Sequence, residues 1–88
     1  MIADAIRWAW RQPVKSATAK FVLVFIAHCL KPEKTSVIIS TAEIVRWTGL
    51  DRKTVPVAIK ELEAQGLINC LHMPGQPSAF TLKMEHKS

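Results

Sequence analysis

The segment ISTAEIVRWTGLDRKTVPVAIKELEAQGLI, residues 39–68, decides how this chain folds. It contains two helical patterns joined by a short turn at Gly49. Ser40 or Thr41 can cap the first helix, because a hydroxyl accepts hydrogen bonds from the free N–H groups of the first turn. Ser40 and Glu43 also have the spacing of a capping box. We expect Gly49 to take the positive φ that ends such a helix.

The second helical pattern starts after Asp51, which we expect to cap it and to suit its positive dipole end. Apolar residues then repeat at helical spacing and predict one buried face. They are Val55, Ala58, Ile59 and Leu62. Gly66 ends the pattern. Pro56 lies inside this helix, where it removes one intrahelical hydrogen bond, so we expect a tight or slightly bent start.

Two short helices around a glycine turn, with polar residues at the start of the second, describe a helix-turn-helix. The segment resembles the winged helix-turn-helix domains of phage and plasmid replication initiators and of small prophage or bacterial transcription regulators. The resemblance extends from about Ala17 to Leu82. The residues that carry it are Ser40, Thr41, Ile44, Val45, Thr48, Gly49, Leu50, Arg52, Lys53, Thr54, Val55, Ala58, Ile59, Leu62, Glu63, Gly66, Leu67 and Ile68.

The flanking sequence is consistent with that architecture. Residues 1–12 read as an additional N-terminal helix that turns Ile2, Ile6, Ala9 and Trp10 to the core. Trp8 should point elsewhere, either to cover the edge of the core or to contact a partner.

A second helix, capped by Ser16 or Thr18, should run to about Leu30. It is apolar on nearly all sides, so we expect it to be central. Lys15 and Lys20, near its start, are either solvated lysines or phosphate contacts.

A short strand at 36–39 and a hairpin at 67–84 complete the prediction. The hairpin, with a turn at 73–77 and with Phe80 and Leu82 facing inward, is the wing. We therefore predict an α+β fold of a single winged helix-turn-helix domain over residues 1–88. It has an N-terminal helix, a three-helix core with the helix-turn-helix at 40–66, and a short strand plus the wing.

Composition favours a polyanionic partner. The 88 residues, 49% of them hydrophobic, suffice for one small core, and the net charge is +5. From Arg46 to Lys60 there are four basic residues and one acid. Because this cluster surrounds the second helix of the motif, we expect double-stranded DNA as the partner, with that helix in the major groove. The predicted DNA contacts are Thr41, Arg46, Arg52, Lys53, Thr54, Val57, Lys60, Gln76 and Ser78.

Other kinds of site are disfavoured. Cys29 and Cys70 do not form a disulfide framework and suit a reducing cytoplasm. His28 and Cys29 diverge on a helix, so they and the Cys70–His72 pair predict no metal site. No nucleophile–base set or phosphate-binding loop indicates an enzyme or a cofactor. The longest apolar run, residues 21–27, is too short to span a membrane.

Two function hypotheses follow. The first is sequence-specific DNA binding by a small transcription regulator or a phage or plasmid replication-initiation protein, with a homodimer supplying affinity. The second is a protein-interaction module on the same fold, a phage- or mobile-element-encoded inhibitor or adaptor of a host protein complex. Trp8 and Trp47 are its candidate interface, although Trp47 could instead pack under the wing.

Overall fold

The computed structural model describes residues 2–31, 33–72 and 75–84. In these ranges the chain forms four helices and a three-stranded antiparallel sheet, so the predicted α+β winged helix-turn-helix architecture is confirmed. The elements are α1 (Ile2–Arg11), α2 (Ala17–Cys29), β1 (Ser36–Ile39), α3 (Thr41–Thr48), α4 (Thr54–Ala64), β2 (Ile68–Leu71) and β3 (Ser78–Leu82). Part of the predicted wing turn, residues 73 and 74, lies outside the described residues.

The sheet places β3 between the two other strands, in the order β1-β3-β2. Phe80 of β3 lies opposite Val37 of β1 and Cys70 of β2. Phe80 and Leu82 are buried, as their alternation predicts. One face of the sheet therefore covers the helices.

The second helix, α2, is the centre of the core. The other three helices pack on it, and Val22, Leu23 and Ile26 are fully buried. Ser16 is the N-cap, and its hydroxyl accepts a hydrogen bond from the N–H of Ala19 at 3.2 Å. The prediction of burial on nearly all sides is wrong at Phe21, which is 46% exposed.

The first helix packs through its small residues. Ala5 and Ala9 are buried, and Trp8 packs against the core half-buried. Trp10 is 59% exposed. The predicted orientation is therefore wrong for Trp10, which faces solvent, whereas Trp8 covers the core half-buried, which is one of the two roles predicted for it. Alanines four residues apart let α1 lie close to α2, and Trp10 follows Ala9 by about 100° around the helix, away from that contact. The side chain of Ile2 lies outside the described part.

Lys20 ties α1 to α2. Its ammonium group donates hydrogen bonds to the backbone carbonyls of Trp10, at 2.7 Å, and of Gln12. The C-terminal carbonyls of a helix lack intrahelical partners and carry partial negative charge, so a cation stabilises them. Lys20 is therefore neither a solvated lysine nor a phosphate contact; it satisfies the end of α1.

Candidate nucleic-acid interface

The turn between α3 and α4 is fixed by local hydrogen bonds. Gly49 has a φ of 75°, and its N–H donates to the carbonyl of Val45 at 2.9 Å. The hydroxyl of Thr48 donates to the carbonyl of Ile44 at 2.6 Å and accepts from the N–H of Leu50 at 3.2 Å. Because the left-handed conformation is strained for residues with a Cβ atom, glycine is strongly favoured here. These bonds set the angle at which α4 leaves α3.

The start of α3 carries the predicted capping box. The Ser40 hydroxyl accepts from the N–H of Glu43 at 3.1 Å, and the Glu43 carboxylate accepts from the N–H of Ser40 at 3.2 Å. Ser40 is therefore the cap, and Thr41 is the first residue of the helix. This reciprocal pair orients the end of α3 that faces the wing.

The start of α4 differs from the prediction. Asp51 does not cap the helix with its side chain: the cap position is Lys53, which makes no side-chain cap bond. Instead the carbonyl of Asp51 accepts from the N–H groups of Thr54, at 2.9 Å, and Val55, at 3.2 Å. Pro56 has no N–H to offer the carbonyl one turn before it, so the regular helix begins only at Thr54. Arg52 and Lys53 consequently form a turn ahead of α4.

The two faces of α4 have different environments. The predicted apolar face is buried: Val55 and Leu62 are 0% exposed, and Ala58 and Ile59 nearly so. The opposite face is open to solvent, and Val57 there is 65% exposed. The exposed residues of this segment are Arg52, Lys53, Pro56, Val57 and Lys60, while Thr54 is half-buried. The turn before α4 and the exposed face of α4 together therefore carry two lysines, one arginine and the apolar residues Pro56 and Val57.

Several predicted contacts lie together around Thr41. Arg46, Arg52 and Thr41 line one cleft, which lies between α3 and the turn before α4. Thr41 also lines a second cleft, with Gln76 and His72, between α3 and the wing. Because Thr41 lines both clefts, the two clefts adjoin at this residue. We call the two clefts, together with the exposed face of α4, the basic face. Its predicted contact residues are Thr41, Arg46, Arg52, Lys53, Thr54, Val57, Lys60 and Gln76.

One predicted contact, Ser78, lines the cleft between α3 and the wing but is nearly buried, and its role stays a prediction. Ser78 is only 6% exposed, and its hydroxyl hydrogen-bonds Nδ1 of His72 at 3.0 Å. Ser78 begins β3 on the same side as Phe80 and Leu82, so the two-residue period of the strand already placed it inward. His72, which is exposed in the second cleft, was considered in the sequence only as a metal ligand. It is the residue that sequence reasoning missed at this surface.

The acidic residues of α4 lie away from these clefts. The Glu63 carboxylate accepts a hydrogen bond from the backbone N–H of Cys70 at 3.2 Å, which joins the C-terminal half of α4 to β2. Between Arg46 and Lys60 the sequence contains four basic residues and the single acid Asp51. The basic face therefore attracts anions, and its partner is expected to carry negative charge.

A family model that describes a helix-turn-helix domain matches residues 15–68. The chain belongs to this family. The match starts just before α2 and ends at the first residue of β2, so it contains the whole helix-turn-helix. Separate searches of curated proteins and of solved structures gave no match. Membership of a helix-turn-helix family supports DNA as the partner.

The tryptophan of this helix-turn-helix is the most exposed large apolar residue of the described chain. Trp47, on α3, is 69% exposed, so the expectation that it packs under the wing is wrong. Its predicted role as a contact for a partner protein stays a prediction.

The two thiols of the helix-turn-helix protein are held neutral. Burial, followed by the charge of Glu43, raises the pKa of Cys29. Burial and the charge of Glu63 raise the pKa of Cys70, and a hydrogen bond from Ser78 partly offsets them. Across residues 2–31, 33–72 and 75–84 no three His, Cys, Asp or Glu side chains gather as a metal site would require. In the same ranges, every helix is too short or too polar to cross a membrane.

Proposed function

We propose that this chain binds double-stranded DNA sequence-specifically, as a small transcription regulator or a replication-initiation protein, through the basic face. The observation that carries the proposal is the division of α4: one face is buried, and the other exposes Val57 and Lys60 beside the turn that contains Arg52 and Lys53. A helix-turn-helix presents this second helix to the major groove. The proposal treats residues 1–88 as one winged helix-turn-helix domain.

Base reading falls to the start of α4. Arg52 and Lys53 precede the helix, where a recognition helix enters the groove, and either can donate to the O6 and N7 atoms of a guanine. The methyl groups of Val57 suit the methyl group of a thymine. Thr54, half-buried, has a hydroxyl for a base edge or a phosphate. The side chains of Pro56 and Val57 cannot hydrogen-bond a base. They can recognise a base only through van der Waals contact with its apolar groups.

Phosphate contacts hold the helix in register. Arg46 and Lys60 flank the reading residues, and Thr41, the first residue of α3, has a hydroxyl that can donate to a phosphate. Gln76 extends this row to the wing. Residues 75–82 contain no Arg or Lys, so the wing lies beside the backbone and does not insert a cation into the minor groove. The proposal includes no catalytic step and no cofactor.

The biological setting is part of the proposal. A cytoplasmic protein encoded by a phage or a plasmid fits the resemblance of the helix-turn-helix segment to replication initiators and prophage regulators. A domain of this size covers few base pairs, so a homodimer on two half-sites would supply the affinity that regulation needs.

A second candidate function is supported by Trp47. A tryptophan that is 69% exposed on α3 is a common anchor of protein interfaces. On that hypothesis the chain is an inhibitor or adaptor of a host protein complex, and the basic face would meet an acidic protein surface. Trp47→Ala should then abolish function, whereas on the DNA hypothesis it should leave binding to duplex DNA in place.

The test is binding to a labelled duplex of mixed sequence across a salt series. If Arg46, Arg52, Lys53 and Lys60 each neutralise one phosphate, log affinity should fall with log salt at a slope of about −3.6, which is about 150-fold between 50 and 200 mM. The double variant Arg52→Ala/Lys53→Ala should lower the slope by about 1.8 and remove sequence preference.

A matched control separates this surface from net charge. Lys31→Ala/Lys34→Ala also removes two positive charges, from exposed positions between α2 and β1. It should leave the slope near its original value. Equal losses in the two double variants would mean that only the net charge matters, and no binding at 50 mM salt would refute the proposal.

A further inference from the structure

The two edges of the sheet have different neighbours. The strand order β1-β3-β2 leaves β1 and β2 at the edges. An edge strand has a row of main-chain N–H and C=O groups that no strand of its own sheet pairs. On β2 this row is partly covered, because α4 packs against the strand and the Glu63 carboxylate accepts from the N–H of Cys70 at 3.2 Å. The protein therefore satisfies an edge group of β2 with its own side chain.

The hydrogen bonds of β1 show which of its main-chain groups point away from the sheet. The N–H of Leu82 donates to the carbonyl of Thr35 at 2.9 Å, so Thr35 faces β3. Main-chain groups alternate in direction along an antiparallel strand. Val37 therefore also faces β3, whereas the N–H and carbonyl groups of Ser36 and Ile38 point to the open side of β1.

These outward groups find no partner within residues 2–31, 33–72 and 75–84. Ser36 hydrogen-bonds Thr81 of β3 through its hydroxyl, at 2.8 Å, but the main-chain groups of Ser36 and Ile38 make no bond to a loop or a helix. In the same ranges β3 is the only element that packs extensively against β1. We call the outward main-chain groups of Ser36 and Ile38 the open edge. Such an edge is a template for one further strand.

The groove beside the open edge is basic. Lys31 and Lys34 line it, together with Ser36, Val37 and Ile38. Both lysines are exposed, and Ile38 is 64% exposed. Among the described residues, no acid lines this groove. It therefore combines unpaired main-chain groups, an exposed aliphatic side chain and positive charge, which attracts carboxylates.

This combination distinguishes between kinds of occupant. DNA has no main-chain N–H and C=O groups with which to extend a sheet. A second copy of the chain would bring its residues 35–42 to the groove, and that stretch contains no acid to meet the lysines. Glu33 and Asp4 line the adjoining cleft and not the groove. An extended segment of another protein that carries acidic residues satisfies both requirements.

We propose that the open edge binds an extended, acidic segment of a partner protein by strand addition. In the antiparallel direction, which is the commoner one, the N–H and C=O groups of the segment pair with those of Ser36 and Ile38. The C-terminal end of the segment then lies beside the start of β1, where its carboxylates face Lys31 and Lys34. The proposal does not depend on DNA binding, because the basic face and the open edge share no residue.

The affinity for a single segment is low. The open edge supplies main-chain pairs for two residues only, and few side-chain contacts accompany them. Ordering a flexible segment also opposes binding. We expect a Kd on the order of 0.1–1 mM, which a second contact elsewhere on the partner would strengthen.

The test titrates the protein with a synthetic peptide and records amide NMR spectra. The probe is an acetylated, amidated peptide of about eight residues, alternating threonine and valine and ending in two glutamates, added to about 2 mM. The amide protons of Ser36 and Ile38 should gain hydrogen bonds, so they should shift downfield and exchange more slowly with solvent. The amide of Val37, already paired with β3, should keep its exchange rate. This alternation is specific to strand addition, because a peptide that adhered only through side chains would not produce it.

Two control peptides separate main-chain pairing from charge. A peptide methylated on the alternate N–H groups that would face β1 cannot donate to the open edge and should not bind at the same concentration. A peptide with glutamine in place of both glutamates should bind about threefold to tenfold more weakly.

Protein variants test the same two features. Ile38→Pro removes one outward N–H at a position where an edge strand tolerates proline, and it should weaken binding about tenfold. Ile38→Thr keeps that N–H and should weaken binding less. Lys31→Glu/Lys34→Glu should weaken binding about tenfold or more. Its matched control is Arg11→Glu/Lys15→Glu, which changes the net charge equally at exposed positions outside the groove and should leave binding near its original value.

The proposal makes the result on the intact protein decisive, whether or not Ile38→Pro folds. No shift at about 2 mM peptide, equal changes at all amides of β1, or undiminished binding of the N-methylated peptide would each overturn it. Amides of β1 that shift with protein concentration in the absence of peptide would assign the open edge to a second copy. Shifts of the same amides on addition of a duplex of mixed sequence would assign the lysines to DNA instead.

Discussion

Removing the ammonium group of Lys20 should destabilise the protein by detaching the end of α1. Lys20→Met keeps a long unbranched stem but loses the hydrogen bonds to the carbonyls of Trp10 and Gln12. Hydrogen bonds that involve a charged group contribute about 1.5–3 kcal/mol, and a cation at a helix C-terminus adds about 0.3–1 kcal/mol. Lys20 is half-buried, and water replaces part of what is lost. We expect a loss of about 2 kcal/mol.

That loss is large enough to measure by thermal unfolding. An unfolding entropy of about 2.1 cal/mol/K per residue gives about 0.18 kcal/mol/K for 88 residues, so Tm should fall by about 11 °C. Circular dichroism would follow the transition. The fluorescence of Trp10, which lies beside the broken contacts, should change before the main transition as α1 frays.

The control is Lys15→Met, which removes an exposed lysine from the same connection and should change stability by less than about 0.5 kcal/mol. Lys20→Met should also leave the salt dependence of DNA binding unchanged, because its ammonium group is already engaged. Equal stabilities of the two variants, or a DNA-binding slope that falls by about 0.9 in Lys20→Met alone, would refute the structural role of Lys20 and restore a phosphate contact.

Three further predictions concern the helix-turn-helix and its thiols. Ser40→Ala removes half of the capping box and should cost about 1 kcal/mol in urea unfolding, with little further loss when Glu43→Ala is added, because the two residues act as a pair. Gly49→Ala places a Cβ in open space but at a φ of 75°, so it should cost about 1 kcal/mol, and Gly49→Asn should cost less. Cys29 and Cys70 have raised pKa values, so iodoacetamide should modify both thiols more slowly than free cysteine at pH 7.5, and the rates should increase as the pH rises above 9. A raised pKa in the folded state favours the neutral thiol. The free energy of unfolding should therefore also decrease as the pH rises above 9.

Much of the fold follows from local signals that the sequence carries unambiguously. The capping box at Ser40, the glycine turn at Gly49 and the apolar face of α4 each depend on residues within one or two turns of chain. Strand alternation likewise placed Phe80 and Leu82 inward. These features could be predicted because neighbouring residues determine them and tertiary packing agrees.

Two of the errors originate in tertiary contacts. Hydrophobicity favoured Trp10 as the core residue of α1, but Ala9 allows the close approach to α2, and the larger ring is left outside. Lys20 bonds carbonyls on another helix, which no local pattern indicates. A third error is local: Asp51 has no side-chain cap role because Pro56 moves the start of α4 by two residues.

At the candidate site, charge and motif position identified Arg46, Arg52, Lys53 and Lys60, and all four are exposed. The sequence could not show that Thr41 joins two clefts, because the wing approaches α3 only in the folded chain. Ser78 is nearly buried, as the two-residue period of β3 already indicates.

The central claim is that the basic face is the surface that meets DNA. The most direct measurement is an amide NMR titration of the protein with a duplex of mixed sequence at low salt. We predict that signals of residues 41–60 and of Gly75 and Gln76 shift or broaden. Signals of Ile38 and Leu71 on the outer face of the sheet, and of Trp10 and Phe21, should stay in place. Changes centred on Trp10 and Phe21, or no changes at all, would contradict the account.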